Sequence, residues 1–276
     1  MRMIANKIDI EYEIFGEGRP IVFVHGFGDE HISMVDCMEP IFKEIEGYKR
    51  IYFDLPMMGA SEDAEWIKCS DDVLDIVIDF IGKVIPGESF LVVGKSYGGY
   101  ISQGLAHHLP EQVDGLLLIC PVVVATHNKR TLPEHVVLEK DEKMMAEAQK
   151  NCDEDFRTYL DNYVSTMVVQ NQYTFTKYKE MMVPIMKRRD TDRLLVFRDS
   201  NYSFSFNLNE KDRRFEKPVQ FLLGRQDACV GYKDALDVMD IYPRATALIL
   251  DIAGHALEVE QPELFKEMVH EWLKRL

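Results

Sequence analysis

Short apolar runs alternate along this chain with stretches in which apolar residues recur every three or four positions. The runs Ile21 to His25, Arg50 to Asp54, Ser89 to Gly94, Val113 to Cys120, Pro218 to Gly224 and Thr246 to Asp251 are rich in Ile, Val, Leu or Phe and lack strict alternation. That is the pattern of strands buried on both faces. Between them Val73, Leu74, Val77, Ile78 and Ile81 keep helical spacing, as do Leu264, Phe265, Met268, Val269 and Trp272 near the end. The alternation predicts the α/β class, a mostly parallel sheet with helices on both faces. The opening differs: Ile8, Ile10, Tyr12 and Ile14 alternate with polar residues and run into Gly16-Glu17-Gly18, which predicts an antiparallel edge hairpin ahead of the parallel part.

From about Pro121 to Lys217 the rhythm breaks into a stretch rich in charges, methionines and tyrosines, helical in periodicity and poor in strand candidates. Residues 1–120 and 218–276 are therefore expected to form the core domain and 121–217 a helical cap. No repeat and no Pro/Gly/Ser-rich linker sets the insertion apart, so it should pack over the core. A length of 276 residues suits one main core with a smaller appended unit.

Composition narrows the function classes. A net charge of −15 and the lack of a basic run speak against a nucleic-acid partner, which needs clustered Lys and Arg. The first ten residues carry Arg2, Lys7 and Asp9 and no apolar secretory core, and no apolar run approaches the roughly 20 residues of a membrane span. Five scattered cysteines, with no CxxC pair, fit reduced thiols. The expectation is a cytoplasmic protein acting on a small-molecule substrate, with its oligomeric state left open. There is no HExxH, CxxC or P-loop signature, and Gly26-x-Gly28 is no dinucleotide fingerprint because His31 occupies the third glycine position. No metal and no cofactor is expected.

The chemistry begins at Phe90-Leu91-Val92-Val93-Gly94-Lys95-Ser96-Tyr97-Gly98-Gly99, an apolar strand followed at once by G-x-S-x-G and a helical pattern. A serine at such a strand-to-helix turn is held exposed above the sheet, and the glycines on either side let strand and helix approach closely. Ser96 is the candidate nucleophile. The Tyr97 amide at the helix start and the Phe27 amide in His25-Gly26-Phe27-Gly28 are candidate oxyanion donors. His25 in that position reads as a hydrogen-bonded loop anchor. The candidate base is His255, in Ala253-Gly254-His255-Ala256 after a late strand; His107, His108, His127, His135 and His270 lie on helices or in the insertion. The candidate orienting carboxylate is Asp227, in the loop after the strand ending at Gly224. Asp251 lies at the end of the strand leading to His255 itself, where a local turn or backbone amide is the expected partner.

With these residues assembled, in the order Ser96, Asp227, His255, the chain resembles the α/β-hydrolase superfamily over nearly its whole length. Asp54-Leu55-Pro56 with Gly59 and Ser61, and His255 running into Glu260-Gln261-Pro262-Glu263, add to the resemblance. It implies a cap between the sixth and seventh strands and hydrolysis by acyl transfer, most simply of an ester with a small to medium apolar acyl group. Carbon–carbon cleavage of a diketone-like substrate, or ligand sensing on the same fold, are the alternatives it leaves open. Dehalogenases and epoxide hydrolases of this fold carry aspartate where this chain has Ser96, which disfavours those chemistries. The chain also lacks the HGGG loop of one esterase branch, and Tyr97 stands where proline iminopeptidases usually have tryptophan. Met57 and Met58 interrupt the usual glycine-richer loop. In the insertion Tyr159, Tyr163, Tyr173, Tyr178, Tyr202, Phe204 and Phe206 are expected either to line a pocket or to form the cap's own core.

Overall fold

The computed structural model describes residues 1–210 and 213–276. Its strands are β1 (Arg2–Ala5), β2 (Ile8–Phe15), β3 (Arg19–Val24), β4 (Tyr48–Phe53), β5 (Phe90–Lys95), β6 (Val113–Ile119), β7 (Glu139–Lys140), β8 (Val169–Gln170), β9 (Val219–Gly224) and β10 (Ala245–Leu250). Among the described residues eight of these form one sheet in the order β1-β2-β4-β3-β5-β6-β9-β10, and β7 pairs with β8 apart from it. Every pairing from β4 to β10 is parallel, and β2 runs antiparallel to both β1 and β4. Each of the six predicted parallel strands is present, with ends shifted by one or two residues.

The edge hairpin exists, but it turns elsewhere than at Gly16-Glu17-Gly18. β1 folds back on β2 through Asn6 and Lys7, both in the left-handed region at φ 44° and 71°. Two consecutive positive φ values match the right-handed twist of the flanking strands. Gly16 and Gly18 instead begin a crossing, since β4 lies between β2 and β3 in the sheet.

The helix Ser70–Val84 buries Val73, Leu74, Val77 and Ile81 as its spacing predicts, while Ile78 is only half-buried. The helix Pro262–Leu273 buries Phe265, Val269 and Trp272, while Leu264 stays 41% exposed, one position off that stripe. Between β6 and β9 lie the helices Glu142–Lys150, Glu154–Thr166, Gln172–Lys177, Val183–Arg188 and Thr191–Asn201. Asp141, Asp153, Asn171 and Asp190 start four of them, each side chain accepting from a backbone N–H three residues on. Met144, Met145, Leu160, Tyr163, Met167, Phe175, Tyr178 and Val183 make a separate apolar cluster there. Leu194, Phe197, Tyr202, Phe204 and Phe215 pack instead into the main core with the sheet residues.

Two glycines show how closely the helix Tyr97–His108 approaches the sheet. A Cβ on Gly98 would fall on the carbonyl oxygens of Val24 and His25, and one on Gly94 would fall on Ser102 Oγ and the Gly98 carbonyl. Gly82, on the exposed side of its helix, meets nothing within 4 Å. Gly98→Ala is therefore expected to cost several kcal/mol or prevent folding, because the obstacle is backbone, at the upper end of the ~1–3 kcal/mol typical of overpacking. Gly82→Ala should stabilise by about 0.5–1 kcal/mol through the helix preference for alanine. Denaturant melts of the two variants check both signs.

Candidate active site

Ser96 sits between β5 and the helix Tyr97–His108 at φ 54° and ψ −117°, a conformation that costs an L-residue energy and is held here by its surroundings. Its N–H donates to the Ile119 carbonyl at 2.9 Å, and its carbonyl accepts from Tyr100 and Val122 at 3.2 and 3.0 Å. The backbone on both sides is thus tied down and Oγ projects over the ends of the parallel strands.

His255, in the loop after β10, reaches that hydroxyl with Nε2 at 2.9 Å. Its Nδ1 lies 2.8 Å from Asp227 Oδ2, in the loop after β9. An ionised carboxylate only accepts, so Nδ1 carries the proton and Nε2 faces Ser96 as an acceptor. Asp227 is fully buried, and its other oxygen accepts from the Cys229 and Val230 amides at 2.8 and 3.0 Å. Burial works against its charge, but His255 and these amides outweigh it and hold the pKa below the ordinary aspartate value. For His255 burial opposes protonation, yet the Asp227 charge lifts the imidazole pKa well above its usual value. Burial pushes the Cys120 thiol beside this imidazole up to about 12. The Cys229 thiol on its other flank is held below its usual value, first by the imidazole's charge. Cys120, Asp227 and His255 offer ligand atoms within 4.8 Å of one another, the one metal-compatible cluster among the described residues. Its Asp227 and His255 atoms already bond each other.

The Phe27 and Tyr97 amides donate to no described residue, which leaves both free for a ligand. Ser96 Cβ lies 3.5 Å from where a Cβ on Gly26 would stand, so the Phe27 loop abuts the serine. The Phe27 ring packs edge-on against Tyr97 and Tyr202 and stacks on Phe197, an aromatic cluster spanning three parts of the chain. His25 is the anchor expected: it is buried, Nε2 accepts from the Leu55 N–H at 2.9 Å, and Nδ1 meets the Gly26 carbonyl at 2.7 Å. Asp251 is exposed and accepts from the Gln226 side chain at 2.7 Å and from the neighbouring Ile252 backbone N–H, the latter the kind of local partner expected of it. The Gln226 amide also accepts from the Ala253 N–H, so this residue braces the loop.

The roles of three residues escaped the sequence reading. Glu260 accepts from the Gly254 N–H at 2.5 Å with one oxygen and from the Val168 N–H at 2.6 Å with the other, so it joins the His255 loop to the insertion. Burial raises its pKa despite these donors. Lys95, beside Ser96, forms a buried ion pair with Glu258, three residues beyond His255. Burial disfavours the ammonium, but the Glu258 charge more than restores its pKa. Lys95→Met should leave that carboxylate uncompensated and destabilise the fold by about 3–5 kcal/mol, a loss that denaturant unfolding would register. The third is Arg189, in the cavity wall. Glu260 and Lys95 join segments far apart in the chain, and Arg189 reaches the site only through the packing of the insertion, so none had a local signal.

The cavity over Ser96 has two lobes that share His127, Asn162, Cys229 and His255. One, of about 450 Å³, is lined by Met167, Met181, Met182, Tyr178, Ala256 and Val259. The other, of about 1000 Å³, contains Ser96, Phe27, Arg130, Arg189, Leu194 and Tyr202. Of the insertion's aromatic residues, then, Tyr178 and Tyr202 face the cavity, Tyr163 fills the insertion's own cluster, and Tyr173 is 47% exposed. Tyr159 packs against that cluster, and Phe204 and Phe206 pack on the main core. No helix among the described residues is long and apolar enough to cross a membrane.

The α/β hydrolase fold family matches residues 19–262. A pimeloyl-[acyl-carrier protein] methyl ester esterase of Vibrio campbellii is 22% identical over 269 residues, covering 96% of this chain and 98% of its own. The crystal structure of an α/β superfamily hydrolase from Oenococcus oeni PSU-1 superposes with a TM-score of 0.88 at 29% identity, over 100% of this chain and 98% of that one. A thermophilic esterase from Thermogutta terrifontis, crystallised with malate bound, gives a TM-score of 0.70 at 18% identity, over 99% and 97% of the two chains. The chain is a hydrolase and belongs to the α/β hydrolase fold family.

Proposed function

We propose that the protein is a serine esterase in which Ser96 is the nucleophile, His255 the general base and Asp227 the residue that orients it. The observation that carries this reading is the hydrogen-bonded series from Ser96 Oγ through both nitrogens of His255 to Asp227. His255 Nε2 takes the hydroxyl proton as Oγ attacks the ester carbonyl, and the Phe27 and Tyr97 amides receive the charge that develops on its oxygen. The imidazolium then gives its proton to the departing alcohol. Water, deprotonated in turn by His255, releases the acid. The esterase names of the relatives support the bond type. The Met-lined lobe suits an apolar portion of the substrate, since flexible thioethers adapt to varied shapes.

The insertion 121–217 acts in this reading as the cap that encloses the reacting bond. Its own cluster lies within Met144 to Val183. A fluorophosphonate is expected to add once, at Ser96, in intact-mass and peptide spectra, and short p-nitrophenyl esters are expected to turn over many times. An adduct elsewhere removes Ser96 from its role, and one turnover per protein favours a ligand sensor instead.

A further inference from the structure

We propose that Arg189 is a specificity residue that binds a carboxylate carried by the ester substrate. The case starts from the charged side chains lining the two lobes. Lys95 pairs with Glu258, and Lys177 with Asp36 at 2.8 Å. Arg198 pairs with Asp199 at 2.9 Å. Arg130 donates to the carbonyls of Val124, Ala125 and Cys229 at 2.8–3.0 Å. Of the lysines and arginines lining the lobes, Arg189 alone donates from its guanidinium to no described residue and has no ion-pair partner among them. Its neighbours in sequence are engaged, Arg188 with Glu30 and Arg193 with Asp63.

The position of this guanidinium is specific. Its NH1 lies 3.5 Å from where a Cβ on Gly28 would stand, one residue beyond the Phe27 amide, and Gly28 at φ 68° leaves the space open. Arg189 is half-buried in the wall of the lobe that holds Ser96 and His255. A guanidinium partly withdrawn from water with all its side-chain donors unused fits a planar two-oxygen anion, which it can hold through two parallel hydrogen bonds. In a protein of net charge −15, an unpaired cation in the wall of the site also draws an anion inward. The substrate this geometry selects is a half-ester or a related ester with a free carboxylate near the scissile carbonyl, its apolar portion directed to the methionine lobe.

The inference rests on the esterase reading, and the experiment separates the two. Hydrolysis of monoethyl adipate against ethyl hexanoate places the carboxylate on the acyl side. 4-Carboxyphenyl butanoate against 4-carbamoylphenyl butanoate places it on the leaving group. Wild type should favour the acid in at least one pair by about tenfold in kcat/KM, mostly through KM, the scale of one charged hydrogen-bonded contact. Arg189→Gln should bring that ratio near one, and Arg189→Lys should keep part of it. Arg189→Met serves the same purpose should the glutamine variant fold poorly. A wild-type ratio near one in both pairs, or a preference that survives in Arg189→Gln, overturns the assignment. Should no ester be turned over, the esterase reading fails, and calorimetric titration with adipate decides Arg189 by itself. Binding to Ser96→Ala that is lost in Ser96→Ala/Arg189→Gln supports the role, and equal or absent binding in both refutes it.

Discussion

Ser96→Ala should lower kcat for any ester substrate by about a millionfold, the loss seen when the nucleophile of a serine triad is removed, while the melting temperature stays near that of the parent. The size of the effect follows from the proposed acyl transfer, in which loss of Oγ removes the covalent intermediate and leaves only the Phe27 and Tyr97 amides and the cavity to favour direct attack by water. Stability should hold because the Ser96 hydroxyl bonds to His255 alone, and the backbone hydrogen bonds that shape the turn belong to atoms an alanine retains. Steady-state kinetics with active-site titration, beside a thermal melt, measure both quantities. A variant keeping more than about a hundredth of wild-type activity would sink the nucleophile assignment.

Asp227→Asn should lower kcat by about ten-thousandfold, since an amide at this position can present a donor to Nδ1 and turn the imidazole to the wrong tautomer. The pH profile offers a second, independent reading. In the proposed mechanism His255 is a base only when neutral, so kcat/KM should fall as pH drops through its pKa. That pKa is raised in the folded protein, so the wild-type midpoint should lie above the ordinary histidine value of 6.5. The Asp227 charge is the largest of the influences that raise it, so the residual activity of Asp227→Asn should titrate at lower pH than wild type. Asp251→Asn, which alters only exposed contacts to Gln226 and the Ile252 amide, should stay within about twofold of wild type, as surface substitutions usually do. A severe loss in Asp251→Asn with Asp227→Asn near normal would reverse the two assignments.

The parallel strands could be read from the chain because each is a continuous apolar run, and burial on both faces leaves no other pattern. The motif around Ser96 and the loops of Asp227 and His255 were legible for a related reason. Each sits directly after such a run, so sequence position converts into a place at one end of the sheet, and the three side chains do meet there. The Asn6-Lys7 turn was hidden because neither residue is glycine, and the conspicuous Gly16 and Gly18 drew the reading to a place where β4 intervenes. The aromatic contacts of Phe27 with Phe197 and Tyr202 cross about 170 residues of chain. Glu260 meeting Val168, and Arg189 lying against Gly28, likewise depend on how the insertion comes down on the sheet. No window of local sequence carries that information.

Glu260 sets a rule for anyone who would remodel this protein. Because one carboxylate holds both the Val168 amide and the Gly254 amide, the insertion segment next to cavity-lining Met167 and the loop that carries His255 are parts of one joint. A chimera that imports this insertion from another hydrolase must therefore bring a backbone amide to the same spot, or it will loosen the histidine while leaving the sheet intact. The symptom would be a well-folded but slow enzyme, in which grafting altered the chemistry before it altered the choice of substrate.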